Sequence, residues 1–223
     1  MPIVFDRRWT RAAGAFALTM ATLAGARAAE AQAWAYPSFQ PPAITTREFN
    51  FGIAAANDAG TAFVFQWREQ AGSKSIFWFD AGFADPEAPR ADNVFFVSGN
   101  YGYDLYRSNA DVPLDFLLTA GAGIAGGNQT TLRVPIGVSI GHRFALDGPV
   151  AITPYVHPRV SLDFCGGCDE DESQLGLNFD AGANFELTRV IALRASAFFG
   201  GSDRFGDNGI AFSLAWTPPG LRR

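Results

Sequence analysis

The sequence is poor in the residues from which most catalytic and metal sites are built. Its 223 residues include only two histidines and two cysteines. The cysteines form one Cys-X-X-Cys motif, Cys165 to Cys168, and the chain has no second such pair. A structural zinc site needs four ligands, which usually come from two pairs. The sequence therefore predicts no metal centre and no cofactor.

Basic charge and long apolar runs are also scarce. The chain carries 17 Lys and Arg against 22 Asp and Glu, a net charge of −5. Residues 1–31 hold four of the basic and two of the acidic residues, so the remainder is more acidic, at −7. Nucleic-acid binding depends on Lys and Arg against phosphates, so no nucleic-acid partner is expected. No segment after residue 31 approaches the roughly 18 apolar residues of a membrane-spanning helix.

The N-terminus has the pattern of a secretory signal peptide. Arg7, Arg8 and Arg11 precede the apolar run 12–26, and small residues at Ala29 and Ala31 offer cleavage sites. A charged start, a short apolar core and a small-X-small site are typical of an export signal. Residues 1–31 are therefore predicted to be removed, which makes the mature chain an exported protein.

The mature chain repeats one rule, which is clearest in Thr131–Phe164. Leu132 and Val134 alternate with Arg133 and Pro135, and the same alternation resumes after a Gly-Pro turn. Side chains in a strand point to opposite faces with period two, so the segments before and after the turn each have one apolar and one polar face. Each of these two segments runs roughly 14 residues, a length that suits a tilted strand crossing a bilayer.

This alternation predicts an all-β chain of about ten strands, with eight as the alternative, and no helix after the signal peptide. We expect an irregular lead-in over 32–46, a barrel over 47–217 and a tail over 218–223. An even number of two-faced strands in hairpin order favours an antiparallel up-and-down transmembrane barrel. The predicted strands are 47–56, 61–69, 74–83, 93–107, 113–125, 131–144, 150–164, 173–187, 190–199 and 210–216.

The polar faces carry charges of both signs interleaved with glycines, which suits a narrow polar lumen. These charges are Glu48, Asp80, Asp104, Asp115, Asp163, Asp180 and Glu186, with Arg68, Arg133, Arg143, Arg159 and Arg194. Same-face neighbours on adjacent strands lie about 5 Å apart, close enough for arginines to bridge carboxylates. We therefore predict a lumen charge network of Asp115, Arg133, Arg143, His157, Arg159, Asp163, Asp180 and Arg194. The alternative is a soluble periplasmic barrel that turns the apolar face inward around an apolar ligand.

Aromatic residues of the apolar face cluster at one end of the predicted strands. They are Phe49, Trp67, Phe77, Tyr103, Phe116, Phe144, Phe185 and Trp216. Aromatic belts at the membrane interface are typical of outer-membrane barrels. With its signal peptide and alternation over Arg47–Thr217, the chain resembles the small outer-membrane barrels of the OmpA/OmpX and opacity-protein type.

The resemblance implies a location in the cell outer membrane. It implies a porin-like fold with a structural, adhesive or small-pore role and no catalysis. The partners implied are outer-membrane lipid and lipopolysaccharide, and the barrel assembly machinery during biogenesis, with the mature protein a monomer. An outer-membrane hydrolase or lipid A modifying enzyme is the alternative function.

Two local features bear on that alternative. Cys165 and Cys168 lie in a predicted exterior loop followed by the acidic run 169–172, and in an exported protein they are expected to form a disulfide. His157 is predicted to point into the lumen near mid-depth, on the same face as Arg159 and Ser161. A hydrogen-bonded lumen histidine is the favoured interpretation, and a His/Ser or Asp/His catalytic arrangement is the competing one.

Overall fold

The computed structural model describes residues 39–56, 60–85, 93–127, 129–146, 148–167, 173–201 and 208–219. The predicted signal peptide lies outside these residues. The described chain folds into eleven strands and contains no helix. They are β1 Arg47–Ala56, β2 Gly60–Gln70, β3 Ser75–Asp85, β4 Val94–Tyr106, β5 Asp115–Gly126, β6 Thr130–Gly141, β7 Phe144–Ala145, β8 Ala151–Gly166, β9 Ser173–Glu186, β10 Ile191–Gly201 and β11 Gly209–Trp216.

Ten of these strands close into an antiparallel barrel. Each strand pairs with the next along the chain, and β1 pairs with β11 to complete the ring. β6 pairs directly with β8, while the two-residue β7 continues the line of β6 and pairs with the start of β8. The predicted ten-strand up-and-down barrel is therefore confirmed.

The two faces of the strands lie as the transmembrane interpretation requires. Large apolar side chains point away from the lumen; Phe51, Ile136 and Leu214, for example, are 46%, 50% and 45% exposed. Charged side chains of the other face are buried inside the barrel, including Arg68 and Asp180 at 0% exposure. The inward apolar face that the soluble alternative required is therefore wrong for these strands.

The barrel has two ends, which we name by the direction of β1. The near mouth is the end at which β1 begins at Arg47, and the far mouth is the end at which β1 finishes at Ala56. Aromatic side chains meet around the outside of the near mouth. Phe49 stacks on Trp216 with ring centroids 5.8 Å apart, and Trp67 meets Phe77 edge-on at 5.5 Å.

The interior is not uniformly polar, which the alternation did not predict. Close to the far mouth, Phe96 and Phe198 point inward and pack with small apolar side chains of neighbouring strands. Each lies beside an outward-facing phenylalanine, Phe95 or Phe199, so a two-phenylalanine doublet places one ring on each face. This far-mouth cluster comprises Ala54, Ala62, Val64, Ala84, Val94, Phe96, Ala125, Phe198 and Ala211, together with Phe39 from the lead-in.

Candidate functional site: the barrel lumen

The lumen contains a ladder of buried ion pairs between strands, and the simplest joins β6 to β8. Arg133 lies directly opposite Asp163 in the strand register. Its Nε donates to Asp163 Oδ1 at 2.7 Å and its Nη2 donates to Oδ2 at 3.0 Å. Such a two-point contact fixes both side chains against the wall, because the guanidinium and carboxylate planes match.

A second group is centred on Asp180 of β9. Arg159 Nη2 lies 2.6 Å from Asp180 Oδ2, and His157 Nδ1 lies 3.6 Å from the same oxygen. On its other side, His157 Nε2 is 2.7 Å from Thr119 Oγ1 of β5. Thr119 reaches across β6 because its register neighbour there is Gly137, which has no side chain.

A third group surrounds Glu48 of β1. Arg194 of β10 donates from Nη2 to Glu48 Oε2 at 2.8 Å and from Nε to Asn184 Oδ1 at 2.9 Å. Arg68 Nη1 lies 3.9 Å from Glu48 Oε1, and its guanidinium sits 5.9 Å from the ring centroid of Trp78. Two arginines therefore share one carboxylate, and all three side chains are buried.

Asp80 organises the polar contacts between β2, β3 and β4. Gln66 Nε2 donates to Asp80 Oδ1 at 2.8 Å, while Ser98 Oγ and Asn100 Nδ2 donate to Oδ2 at 2.8 and 3.0 Å. Asn50 of β1 extends the chain of contacts by donating to Gln66 Oε1 at 2.8 Å. The network joins four adjacent strands, and the sequence patterns had placed Asp80 on the polar face without identifying these partners.

The irregular lead-in also lies in the lumen, where no sequence pattern had placed it. We call Phe39–Thr46 the lumen segment. Phe39 and Gln40 are fully buried, at 0% exposure. The carbonyl oxygens of Phe39 and Ala43 accept hydrogen bonds from Arg68, both at 3.2 Å. The segment therefore runs through the interior from the far-mouth cluster, which Phe39 enters, to the near mouth, where it leads into β1.

Two predicted members of the charge network lie elsewhere than in these groups. Arg143 lies between β6 and β7, where it pairs in two places with Glu186, at 2.9 and 2.7 Å, and is half exposed. This contact raises the pKa of Arg143, the hydrogen bond to Glu186 being the largest cause. Asp115 is buried but accepts from the backbone N–H of Ser108 at 2.9 Å. Both residues therefore stabilise the turns of the near mouth.

The predicted catalytic alternatives around His157 take a different form from the one expected. Ser161 accepts from Asn178 Nδ2 at 3.1 Å, while the hydroxyl that meets His157 belongs to Thr119. Thr119, His157 and Asp180 follow the order hydroxyl, imidazole, carboxylate of nucleophilic hydrolases. The adjoining cavity holds about 10 Å³ of water-accessible space, the room of a single water molecule. The three side chains are thus buried in the lumen, with a hydrogen bond between Thr119 and His157 and a longer contact from His157 to Asp180.

The remaining sequence predictions concern metals and cysteines. Among the described residues, no cluster of three or more His, Cys, Asp or Glu could hold a metal ion. Cys165 is disulfide-bonded, and Cys168, its predicted partner, lies outside the described residues together with the acidic run 169–172. In the described part of the chain, no helix has the length and apolarity to span a membrane.

Comparisons with known proteins found similar chains among solved structures alone. No protein-family model matches the chain, and no curated protein matches it. Among solved structures, it is similar to the N-terminal β-barrel domain of Pseudomonas aeruginosa OprF, at 10% identity and a TM-score of 0.38, covering 76% of this chain and 95% of that one. The strand pairing of the chain itself gives it the fold of a small, closed antiparallel β-barrel of ten strands.

Two further solved structures are similar in the same way. The β domain of the Bordetella autotransporter BrkA has 11% identity and a TM-score of 0.48, covering 77% of this chain and 98% of that one. Neisserial surface protein A has 14% identity and a TM-score of 0.31, covering 76% and 94%. The barrel fold predicted from the sequence is confirmed by the closed ring of strands, and at these identities and TM-scores the similar structures carry no argument about activity.

Proposed function

We propose that this protein is an outer-membrane barrel with a structural or adhesive role, whose lumen is closed in the resting state. The observation that carries the proposal is the contrast between its two surfaces. Apolar side chains cover the outside, while ion pairs and the lumen segment fill the inside. A continuous apolar exterior is stable in lipid and costly in water.

The width of the barrel supports the closed state. Eight to ten strands enclose an interior that side chains can largely fill, whereas open water channels belong to barrels of about sixteen strands. Here Arg194, Arg159 and Arg133 each extend from the wall to a carboxylate within 3 Å. The barrel then acts as an anchor that carries its far-mouth loops, and it conducts ions weakly or not at all.

Fractionation followed by electrical recording tests this proposal. We expect the mature protein to sediment with outer membranes, to require detergent for extraction and to migrate faster on gels when unheated. In planar bilayers it should remain closed for most of the recording. Recovery as a soluble periplasmic protein would refute the membrane assignment, and a steady porin-sized conductance would refute the closed lumen.

A second candidate function, hydrolysis, is favoured by a single contact. Thr119 Oγ1 lies 2.7 Å from His157 Nε2, the distance of a hydroxyl nucleophile from its base. A purified sample that releases fatty acid from phospholipid or lipopolysaccharide, and loses this activity in Thr119→Val, would establish the function. Equal background rates in the wild type and Thr119→Val would remove it, while folding of the variant is checked by its gel migration.

A further inference from the structure

The lumen segment is held by side chains of the barrel wall that reach its backbone. Arg68 donates to two of its carbonyl oxygens, Arg107 Nη1 donates to the carbonyl oxygen of Pro42 at 3.3 Å, and Ser139 Oγ donates to that of Gln40 at 2.5 Å. These three donors come from β2, from the turn after β4 and from β6. The segment thus crosses the interior from one side of the barrel to the other.

Two apolar contacts fix the ends of the crossing. The ring of Phe39 enters the far-mouth cluster and lies so close to Gly52 that a Cβ there would be 2.7 Å from the ring. Ile44 packs on a small buried group made by Ile76, Trp78 and Leu117. One aromatic and one aliphatic side chain therefore anchor the segment in two separate apolar sites.

The segment cannot join the barrel as a strand. Pro41 and Pro42 have no backbone N–H, so neither can donate to a neighbouring strand. The N–H of Ala43 donates back to the carbonyl oxygen of Pro41 at 2.7 Å. The C-terminal end of the segment, at the near mouth, is joined to β2 by a hydrogen bond from Gln70 N to Thr46 O at 3.1 Å. From Phe39 to Ala43 the crossing is therefore bound through side chains of the barrel wall, and at Thr46 it joins the β1–β2 ladder.

We propose that the lumen is a binding site for an extended, proline-containing peptide, and that Phe39–Thr46 is the resident ligand that closes it. The site recognises backbone carbonyl oxygens through Arg68, Arg107 and Ser139, and it recognises side chains at two positions, Phe39 and Ile44. Release of the segment empties the interior between the near mouth and the far-mouth cluster without breaking the barrel. The segment is thus a built-in, exchangeable closure of the lumen.

The test uses the full mature chain with Phe39→Ala, and Phe51→Ala is the matched control. Phe51 lies on the lipid-facing side of β1 at 46% exposure, so its loss removes an equal ring without touching the lumen. In planar bilayers we expect Phe39→Ala to open at least tenfold more often than the wild type. Phe51→Ala should open no more often than the wild type. A synthetic peptide of residues 39–46 should suppress the openings, and the same peptide with alanine for Phe39 should not.

Ser139→Ala provides a second, milder variant, since it removes one hydrogen bond to the segment and leaves every ion pair in place. We expect it to show fewer openings than Phe39→Ala and more than the wild type. If neither Phe39→Ala nor Ser139→Ala opens more often than the wild type, or if the peptide does not suppress the openings, the inference is wrong.

The conductance readout rests on the proposed membrane function, so a second readout is independent of it. In the folded wild-type protein, proteinase K should spare the backbone between Phe39 and Thr46, whether the protein is held in detergent or is soluble. Phe39→Ala should be cut there at least tenfold faster, while Phe51→Ala should not. Rapid cleavage of the folded wild type would overturn the inference even if the protein proves to be a membrane barrel.

Discussion

Arg194 and Glu48 meet inside the barrel although 146 residues separate them along the chain, with Arg194 Nη2 2.8 Å from Glu48 Oε2. Arg194 belongs to β10 and Glu48 to β1, and the last strand, β11, runs between them. The ion pair therefore spans the seam at which the first and last strands close the ring. Its loss should affect the closure of the barrel more than the loss of any surface pair.

The first prediction concerns this seam. Glu48→Gln leaves Arg194 and Arg68 buried without their carboxylate, and breaking one partner of a buried pair costs about 3–5 kcal/mol. We expect Glu48→Gln to lower the free energy of unfolding by that amount, read as the urea midpoint of the heat-modifiable gel band. The double variant Glu48→Gln with Arg194→Gln should recover part of the loss, since it removes one of the uncompensated charges. No recovery would mean that the two side chains do not act as a pair.

The second prediction compares two arginines of different burial. Arg159→Ala removes the 2.6 Å partner of the fully buried Asp180, so we expect a loss of about 3–5 kcal/mol. Arg143→Ala removes a half-exposed pair with Glu186 and should cost about 0–1 kcal/mol. The same urea titration checks both variants. Equal losses would show that the lumen is wet enough to screen its charges.

The third prediction concerns the close approach of β8 and β9. A Cβ added at Gly182 would lie 2.6 Å from the Tyr155 hydroxyl and 2.7 Å from the backbone oxygen of Ala195. Gly182→Ala should therefore destabilise the barrel by about 1–3 kcal/mol. Gly99→Ala is the control, because nothing lies within 4 Å of the added atom. If both variants unfold at the wild-type urea concentration, the packing inside the lumen is looser than described.

The fourth prediction concerns the cysteines. We expect Cys165 and Cys168 to be oxidised to each other in the purified protein, which mass spectrometry of unreduced peptides detects. Replacing both by serine should change the free energy of unfolding by less than about 2 kcal/mol, because so short a loop restricts the unfolded chain little. Stoichiometric zinc that disappears in Cys165→Ser would contradict the prediction.

The local parts of this fold could be predicted from the sequence, because a two-residue period is a local property. β1 has the predicted bounds, and most other strands differ by one or two residues. The period also placed Arg133 and Arg159 on the inner face. It could not assign their carboxylate partners, because the register between strands depends on turns whose geometry the pattern does not contain.

Two parts of the site depend on contacts that no period encodes. Thr119 meets His157 across an intervening strand, which requires both the register and the glycine between them. The lumen segment has two prolines and no alternation, and the sequence therefore indicated only an irregular lead-in. Its place in the lumen depends on contacts distant in sequence, in which Arg68 donates to its carbonyl oxygens and Phe39 packs in the far-mouth cluster.

The seam between β1 and β11 has a consequence for the order of assembly. Phe49 pairs with Trp216, so the ring cannot close until β11 is available to pair with β1. Contacts so distant in sequence form late, because the chain loses much freedom before they stabilise it. The lumen segment directly precedes β1, so it is connected to one edge of the open sheet. The hydrogen bonding of β11 to β1, which closes the ring, is then also the step that encloses the lumen segment.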